Sequence, residues 1–325
     1  MSGIPRSILI IGTGSLASLF AARLSRAGTR VTMLGTWQAG LQNLNENGVR
    51  LVDEDGREWK YPVVATDHPA DCRPARFALV LVKSWQTARA AQQLAVCLAP
   101  DGLALTLQNG LGNHEILSAA LGTDRVASGT TTTGAALLGP GLVRPGGEGA
   151  ISVEADPRLP PLIGLLERAG FSIAAVSDLK TLVWGKLAIN AAINPLTALL
   201  RVPNGELLAR PTARDLMGKA AREVAAVAAT QGIILPYPDP AAAAEDVAAR
   251  TATNRSSMLQ DVRRGAPTEI DAICGAVVEA GAAAGLQTPI NQALWQLVKA
   301  LRQPENGRDP GTPLPVSRTL EAERW

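Results

Sequence analysis

The sequence contains no uninterrupted apolar run of the ~20 residues that a membrane-spanning helix needs. Its alanine-rich stretches are broken by Arg, Glu or Asp every few residues. Cysteine is scarce: Cys72, Cys97 and Cys274 lie far apart without paired ligand spacing, which argues against a disulfide framework and against a metal site. There are two histidines. His68 falls in a polar, proline-containing loop and His114 near a helix start, so neither is taken as catalytic. Without a His or Asp at a readable spacing from a Ser, nothing supports a hydrolytic triad. Aromatic residues make up 3% of the chain, too few for a base-stacking platform. A net charge of +2 gives no electrostatic reason to expect nucleic acid or an acidic membrane as partner. The first residues lead into a strand, with no basic stretch, apolar run and cleavage site in order. The expectation is a cytoplasmic protein that acts on a small molecule. A homodimer is compatible with the sequence, which leaves the oligomeric state open.

What is present is a globular composition, 46% hydrophobic and 18% charged, over 325 residues. That length exceeds what one hydrophobic core usually serves, so two domains are expected. The first half alternates strands with helices. Strands are predicted at Ser7–Ile11, Arg30–Leu34, Phe77–Val82 and Leu103–Leu107. Helices are predicted at Leu16–Ala27, Gln86–Leu98 and near Glu115–Leu121. Between Val49 and Ala65 two strand-like runs flank Asp53-Glu54-Asp55-Gly56, a hairpin signal. Val126 to Glu154 suggests more strands, and a last helix and strand end near Val176. Strands separated by helices imply right-handed crossovers and a doubly wound parallel sheet. From Leu179 the pattern is helical only: Leu179–Leu200, Thr212–Gln231, Pro240–Arg264, Pro267–Ala284 and Asn291–Arg302. The fold class is therefore α/β, with a Rossmann-type domain over residues 1–178 and an all-α domain over 179–325. The stretch 303–325, rich in Pro, Gly and charge, is expected to be a mobile tail.

The first strand runs directly into Gly12-Thr13-Gly14-Ser15-Leu16-Ala17, which opens the first helix. Glycines there allow a tight turn and the close approach of a pyrophosphate to backbone N–H groups, and the helix terminus adds partial positive charge. Ala17, in the third small position, packs helix against strand. The end of the second strand reads Met33-Leu34-Gly35-Thr36-Trp37, with no Asp or Glu to grip a ribose 2′-hydroxyl. A carboxylate would also repel a 2′-phosphate, so its absence leans toward NADP without excluding NAD. No Arg stands there either; Thr36 is at best a hydrogen-bond donor to phosphate.

Ligands of open α/β sheets lie beyond the carboxyl ends of the strands. Two such ends carry unexpected polarity: Lys83, suited to neutralising a phosphate, and Asn109, suited to orienting a nicotinamide amide or a substrate oxygen. In the helical half, Lys186, Asn190 and Asn194 recur at spacing four on an otherwise apolar helix, which puts them on one face. Leu187, Ile189, Ile193 and Leu196 point elsewhere. One Lys and two Asn on such a helix read as the lining of a cleft, Lys offering a cation and a proton. Ser257 and Glu269 stand alone in the sequence and acquire meaning only beside such a site.

With these residues assembled, the chain resembles the ketopantoate reductase (2-dehydropantoate 2-reductase) family over nearly its whole length. The most specific matches are Lys186-Leu187-Ala188-Ile189-Asn190 with Ile193-Asn194-Pro195-Leu196-Thr197, and Pro203-Asn204-Gly205-Glu206-Leu207. Ser256-Ser257-Met258-Leu259-Gln260-Asp261 and Thr268-Glu269-Ile270-Asp271 continue the pattern. The resemblance implies NADPH-dependent reduction of 2-dehydropantoate to pantoate, on the route to pantothenate and coenzyme A. By motif match, Lys186 would donate the proton and bind substrate. Asn190, Asn194, Asn204 and the segment Asn254, Ser256 and Ser257 would hold substrate, with Ser257 on its carboxylate. Asn109 and Glu269 would lie where cofactor and substrate meet, and Ala135 would touch the cofactor by its backbone. The chain departs from the family at Thr36, near which relatives often carry an Arg for the 2′-phosphate. Two alternatives stay open: reduction of another 2-oxo or 3-oxo acid by the same machinery, and a non-enzymatic NADP-sensing module.

Overall fold

A strand with sheet neighbours on both edges and helices on both faces needs an unbroken apolar run. The strand β1 (Ser7–Ile11) is such a run, buried from Ile8 onward. Ile8 and Ile10 enter the core on one face of the sheet, and Leu9 and Ile11 the core on the other, as a period of two requires. The computed structural model describes residues 5–301; the expected tail lies outside them. After β1 come α1 (Ser15–Arg26), β2 (Arg30–Leu34), α2 (Gln38–Asn47), β3 (Val49–Val52), β4 (Glu58–Tyr61) and β5 (Val64–Thr66). They are followed by β6 (Ala75–Val80), α3 (Thr87–Cys97), β7 (Leu98–Thr106), α4 (Asn113–Leu121) and β8 (Val126–Thr131). The mixed part closes with β9 (Ala135–Gly139), β10 (Leu142–Pro145), β11 (Ala150–Glu154), α5 (Pro160–Arg168) and β12 (Ser172–Val176).

Eight strands form the main sheet in the order β12-β11-β8-β7-β6-β1-β2-β5. The chain builds outward on one side of β1 and then crosses to the other, so strand order reverses between β1 and β6. That reversal opens a crevice at their carboxyl ends. The sheet is not wholly parallel as expected: β11 pairs antiparallel with β8 through Ile151–Thr131, Ser152–Thr130 and Val153–Gly129. Between them the chain leaves as the β9–β10 hairpin and returns without a crossover helix, and a direct return must run antiparallel. The hairpin joins the predicted β3–β4 hairpin in a separate sheet, β4-β3-β10-β9, packed on α1. At the β3–β4 turn Gly56 takes the left-handed conformation that its Asp-Gly signal implies.

The helix α2 is not foreseen by the sequence reading. Gly40 and three Asn lower its helix propensity, and burial of Leu41 and Leu44 compensates. Asn45 also exchanges two hydrogen bonds with the backbone of Ala65, which ties α2 to β5.

Beyond β12 the chain is helical: α6 (Leu179–Leu200), α7 (Pro211–Thr230), α8 (Pro240–Arg250), α9 (Ser257–Arg263), α10 (Ala276–Ala283) and α11 (Pro289–Ala300). Asp178 caps α6 by accepting from the Thr181 N–H. Two predicted helices need correction. Pro240–Arg264 breaks after Arg250, and Ser256 starts a second helix by accepting from the Leu259 N–H at 3.1 Å. Pro267–Ala284 becomes helical only from Asp271, through a wide turn over Asp271–Gly275, so Glu269 lies just outside it. The helices have their own core, from Trp184 to Val298, which shares no residue with the cores flanking the sheet. Among the described residues no helix is long and apolar enough to cross a membrane.

Candidate active site

The crevice between β1 and β6 begins at the glycine loop. Gly12 has a φ of +126° and donates to the Leu34 carbonyl at 2.8 Å. A Cβ there would come within 3.2 Å of the Leu81 carbonyl, so only glycine lets the loop lie this close to the end of β6. At Gly14, by contrast, a Cβ would meet nothing within 4 Å, and no side chain caps α1. Thr13 and Ala17 are buried beneath the loop, whereas Gly14, Ser15 and Leu16 are more accessible. The outcome is an open, uncapped helix N-terminus with its dipole facing the crevice, which suits a pyrophosphate. The residues present thus fit a dinucleotide.

Across the crevice, the carboxyl ends of β6 and β7 meet residues from the helical half. Lys83 donates to Asp261 at 2.7 Å and lies 3.5 Å from Glu269. Glu269 is buried and accepts from the Ser84 N–H and from Asn109 Nδ2, both at 3.1 Å. Beneath them Gln108 donates to the Val82 carbonyl and to the Thr87 hydroxyl, fixing the turn that carries Lys83. Burial works against the Lys83 charge, but the carboxylates of Glu269 and Asp261 outweigh it and hold the ammonium above the usual lysine range. Asp261 is raised as well, but for the opposite reason: burial disfavours its charged form, and Lys83 offsets only part of the effect. Backbone approach sets this junction. Leu111 N–H donates to the Ala272 carbonyl at 2.9 Å, and a Cβ on Gly110 would stand 2.4 Å from that same oxygen.

The helix α6 crosses the end of β8. Lys186 is half-buried, and its Nζ donates to the main-chain carbonyl of Thr131 at 2.6 Å. Burial pushes its pKa down to about 8, with the charge of Glu269 opposing part of the fall. One turn on, Asn190 is half-buried; a further turn on, Asn194 is buried. Neither side chain has a hydrogen bond among those described. Leu187, Ile193 and Leu196 are buried in the helical core as expected, and Ile189 packs partly buried against it.

A second group of predicted residues gathers beyond the Asn194 end of α6. Thr197 donates to the Asn194 carbonyl at 3.0 Å and shares a 2.7 Å hydrogen bond with Ser256. Ser256 is therefore occupied in capping α9, whereas the half-buried Ser257 has no side-chain partner among the described hydrogen bonds. Asn204 is buried; its N–H donates to the Asn254 carbonyl and its Nδ2 to Thr251. Its Oδ1 is buried with no partner among the described residues, an acceptor left over after the fold has used the rest of the side chain. Asn254 itself is exposed.

Lys83, Asn109 and Glu269 thus come together directly, and Lys186 lies within electrostatic reach of Glu269. Ala135 is half-buried at the start of β9, and Thr36 is exposed at the far rim. Two side chains at the site have no signal in the sequence. Asp261 escaped because its partner Lys83 is 178 positions away in the sequence. The other is Arg89, on the first turn of α3, whose Nη1 donates to Thr36 Oγ1 at 3.3 Å. No Arg follows β2 in the sequence, yet the fold supplies one from another helix.

The chain matches two family models: ketopantoate reductase PanE/ApbA over residues 8–157, and the ketopantoate reductase PanE/ApbA C-terminal model over residues 178–302. A 2-dehydropantoate 2-reductase of Halobacterium salinarum is 37% identical over 300 residues, covering 90% of this chain and 97% of the relative. One from Archaeoglobus fulgidus is 37% identical over 299 residues, with the same shares covered. Among solved structures, a PanE/ApbA family ketopantoate reductase from Ralstonia eutropha superposes with a TM-score of 0.85 at 30% identity, covering 91% of this chain and 98% of that one. A D-mandelate dehydrogenase in ternary complex with NADH and anilino(oxo)acetate superposes with a TM-score of 0.84 at 26% identity, over the same shares.

Proposed function

The chain belongs to the ketopantoate reductase family, and from that premise we propose that it reduces 2-dehydropantoate to pantoate with NADPH, dividing near residue 178 into a cofactor-binding and a substrate-binding unit. The observation that carries the reading is Lys186, a half-buried lysine among apolar residues of α6, held by the Thr131 carbonyl, with a pKa of about 8, near Glu269. Bound in the crevice, the dinucleotide supplies a hydride to the ketone carbon. The chain's own residues do the rest. Lys186 stabilises the charge developing on the ketone oxygen and passes it a proton, for which a pKa near the working pH is suited. Asn190 and Asn194, unpaired on the same helix face, orient the substrate. Ser257 receives the substrate carboxylate, and Asn204 holds the Asn254 segment against the substrate side of the site. Asn109 and Glu269 hold the junction where cofactor and substrate meet, and the glycine loop and Lys83 take the cofactor's phosphates.

A second reading, reduction of a different 2-oxo acid, has one observation in its favour: the D-mandelate dehydrogenase fold is nearly as similar. The higher identity to the archaeal 2-dehydropantoate 2-reductases favours the first. Initial rates on a panel of 2-oxo and 3-oxo acids, each with NADPH and NADH, separate them. The proposal expects the highest kcat/KM for 2-dehydropantoate with NADPH. A better 2-oxo acid moves the assignment to the second reading, and cofactor binding without turnover on any acid overturns both.

A further inference from the structure

The sheet topology determines where the adenosine ribose of a dinucleotide falls: beside the carboxyl end of the strand next to β1, here β2. Gly35, just after that end, is tied to the edge strand by donating to the Thr66 carbonyl at 3.0 Å. Thr36 then faces solvent with its hydroxyl accepting from Arg89. Arg89 is exposed and forms no ion pair among the described residues. The acidic groups along this rim are already engaged. Asp67 accepts from Gln38 at 2.6 Å and pairs with His68, and Asp71 accepts from Thr66 at 2.9 Å. The first turn of α3 contains no acidic residue, so the helix terminus adds to the positive character instead of cancelling it.

We propose that Arg89 and Thr36 form the subsite that reads the 2′-phosphate of the adenosine ribose, with α3 supplying the cation that the segment after β2 lacks. This rests on the reading of the chain as a dinucleotide-dependent reductase and adds to it the residue that sets cofactor choice. A guanidinium bonds two phosphate oxygens at once. The Thr36 hydroxyl holds it in place and has its own proton to donate to a third oxygen. A ribose bearing only a 2′-hydroxyl gains little from the cation, so discrimination follows from charge and not from shape.

The test uses two probes that lack the reacting ring and differ only in the 2′-phosphate, adenosine 2′,5′-bisphosphate and AMP, titrated calorimetrically into the wild-type chain and into Arg89→Ala, Arg89→Gln and Arg89→Lys. Each variant is first compared with wild type by circular dichroism. The wild type should bind the 2′-phosphorylated probe more tightly than AMP. Arg89→Ala and Arg89→Gln should weaken that probe roughly ten- to a hundredfold, the range for hydrogen bonds to a charged group. AMP binding should stay unchanged, and Arg89→Lys should fall between. The ratio of kcat/KM for NADPH to that for NADH should drop by a similar factor. If the wild type discriminates and Arg89→Ala discriminates equally, another group reads the phosphate; the assignment of Arg89 fails while the NADPH reading stands. If the wild type binds both probes alike, there is no 2′-phosphate subsite and both fail together. Equal weakening of both probes in Arg89→Ala would show that Arg89 only shapes the rim, which also overturns the proposal.

Discussion

Replacing Lys186 by alanine removes the single group on which the proposed chemistry depends, and the structure sets the size of the effect. Moving a lysine pKa from 10.5 to about 8 corresponds to roughly 3 kcal/mol spent on keeping an ammonium at that position, at ~1.36 kcal/mol per pH unit. With a pKa of about 8, about nine-tenths of the molecules carry the ammonium at pH ~7 and about a tenth at pH ~9. Wild-type ketone reduction, followed by loss of nicotinamide absorbance at saturating substrate, should therefore fall about fifteenfold between pH ~8 and ~9.5. In Lys186→Ala, kcat should drop at least ~100-fold and the alkaline limb should disappear, because no group remains to lose the proton. The reverse reaction needs the neutral amine and should rise over the same window.

The same shift is visible in stability. Because the folded value lies below the unfolded one, the unfolded chain binds the additional proton between about 8 and 10.5. Stability therefore decreases as pH falls through that window, and the whole cost is present below it. Lys186→Met, which retains an unbranched apolar stem, should be the more stable protein at neutral pH, by up to ~3 kcal/mol. A folded Lys186→Ala enzyme with near-normal kcat, or a wild-type rate that stays flat through pH ~9.5, would refute the assignment.

Three further outcomes follow from neighbouring groups. Ser257→Ala and Asn194→Ala should each lower kcat/KM on the best substrate by roughly ten- to a hundredfold while leaving NADPH affinity near wild type; unchanged kinetics in both would show that the substrate lies elsewhere. Glu269→Gln removes the charge that opposes desolvation of Lys186, so the alkaline limb of kcat should move to lower pH, and a stationary limb would show that the two groups do not interact. Gly110→Ala has to fit a Cβ 2.4 Å from the Ala272 carbonyl at a φ of +82°; it should destabilise the chain by on the order of 2 kcal/mol or more and weaken substrate and cofactor binding together, and a wild-type melting temperature would mean the junction is looser than described.

The centre of the sheet was legible where its strands are apolar runs, as in Ile8–Ile11 of β1 and Phe77–Val80 of β6. The stripe of Lys186, Asn190 and Asn194 was legible because a helix turns positions four apart onto one face. Other features were not, because nothing local encodes them. The antiparallel return of β11 depends on a hairpin joining a second sheet, and α2 forms against its own propensity because Leu41 and Leu44 find a core. The break after Arg250 has a local signal, Ser256 ahead of Leu259, that is readable only once the alternative of one long helix is given up. Ser256 and Ser257 are chemically identical in the sequence, and only the cap separates the committed hydroxyl from the unpartnered one. Arg89 and Asp261 meet their partners across long stretches of chain, and no spacing rule reaches that far.

The main-chain oxygen that Lys186 holds while waiting is itself a carbonyl. A ketone substrate would replace one neutral C=O with another at the same ammonium, an exchange that is close to thermoneutral while the substrate is merely bound. The balance tips only as the ketone oxygen acquires negative charge, which the oxygen of Thr131 cannot do. The lysine would then contribute little to substrate affinity and much to the barrier, which is the division of labour that raises turnover without tightening the ground state. Kinetically, loss of Lys186 should appear in kcat and leave KM almost untouched.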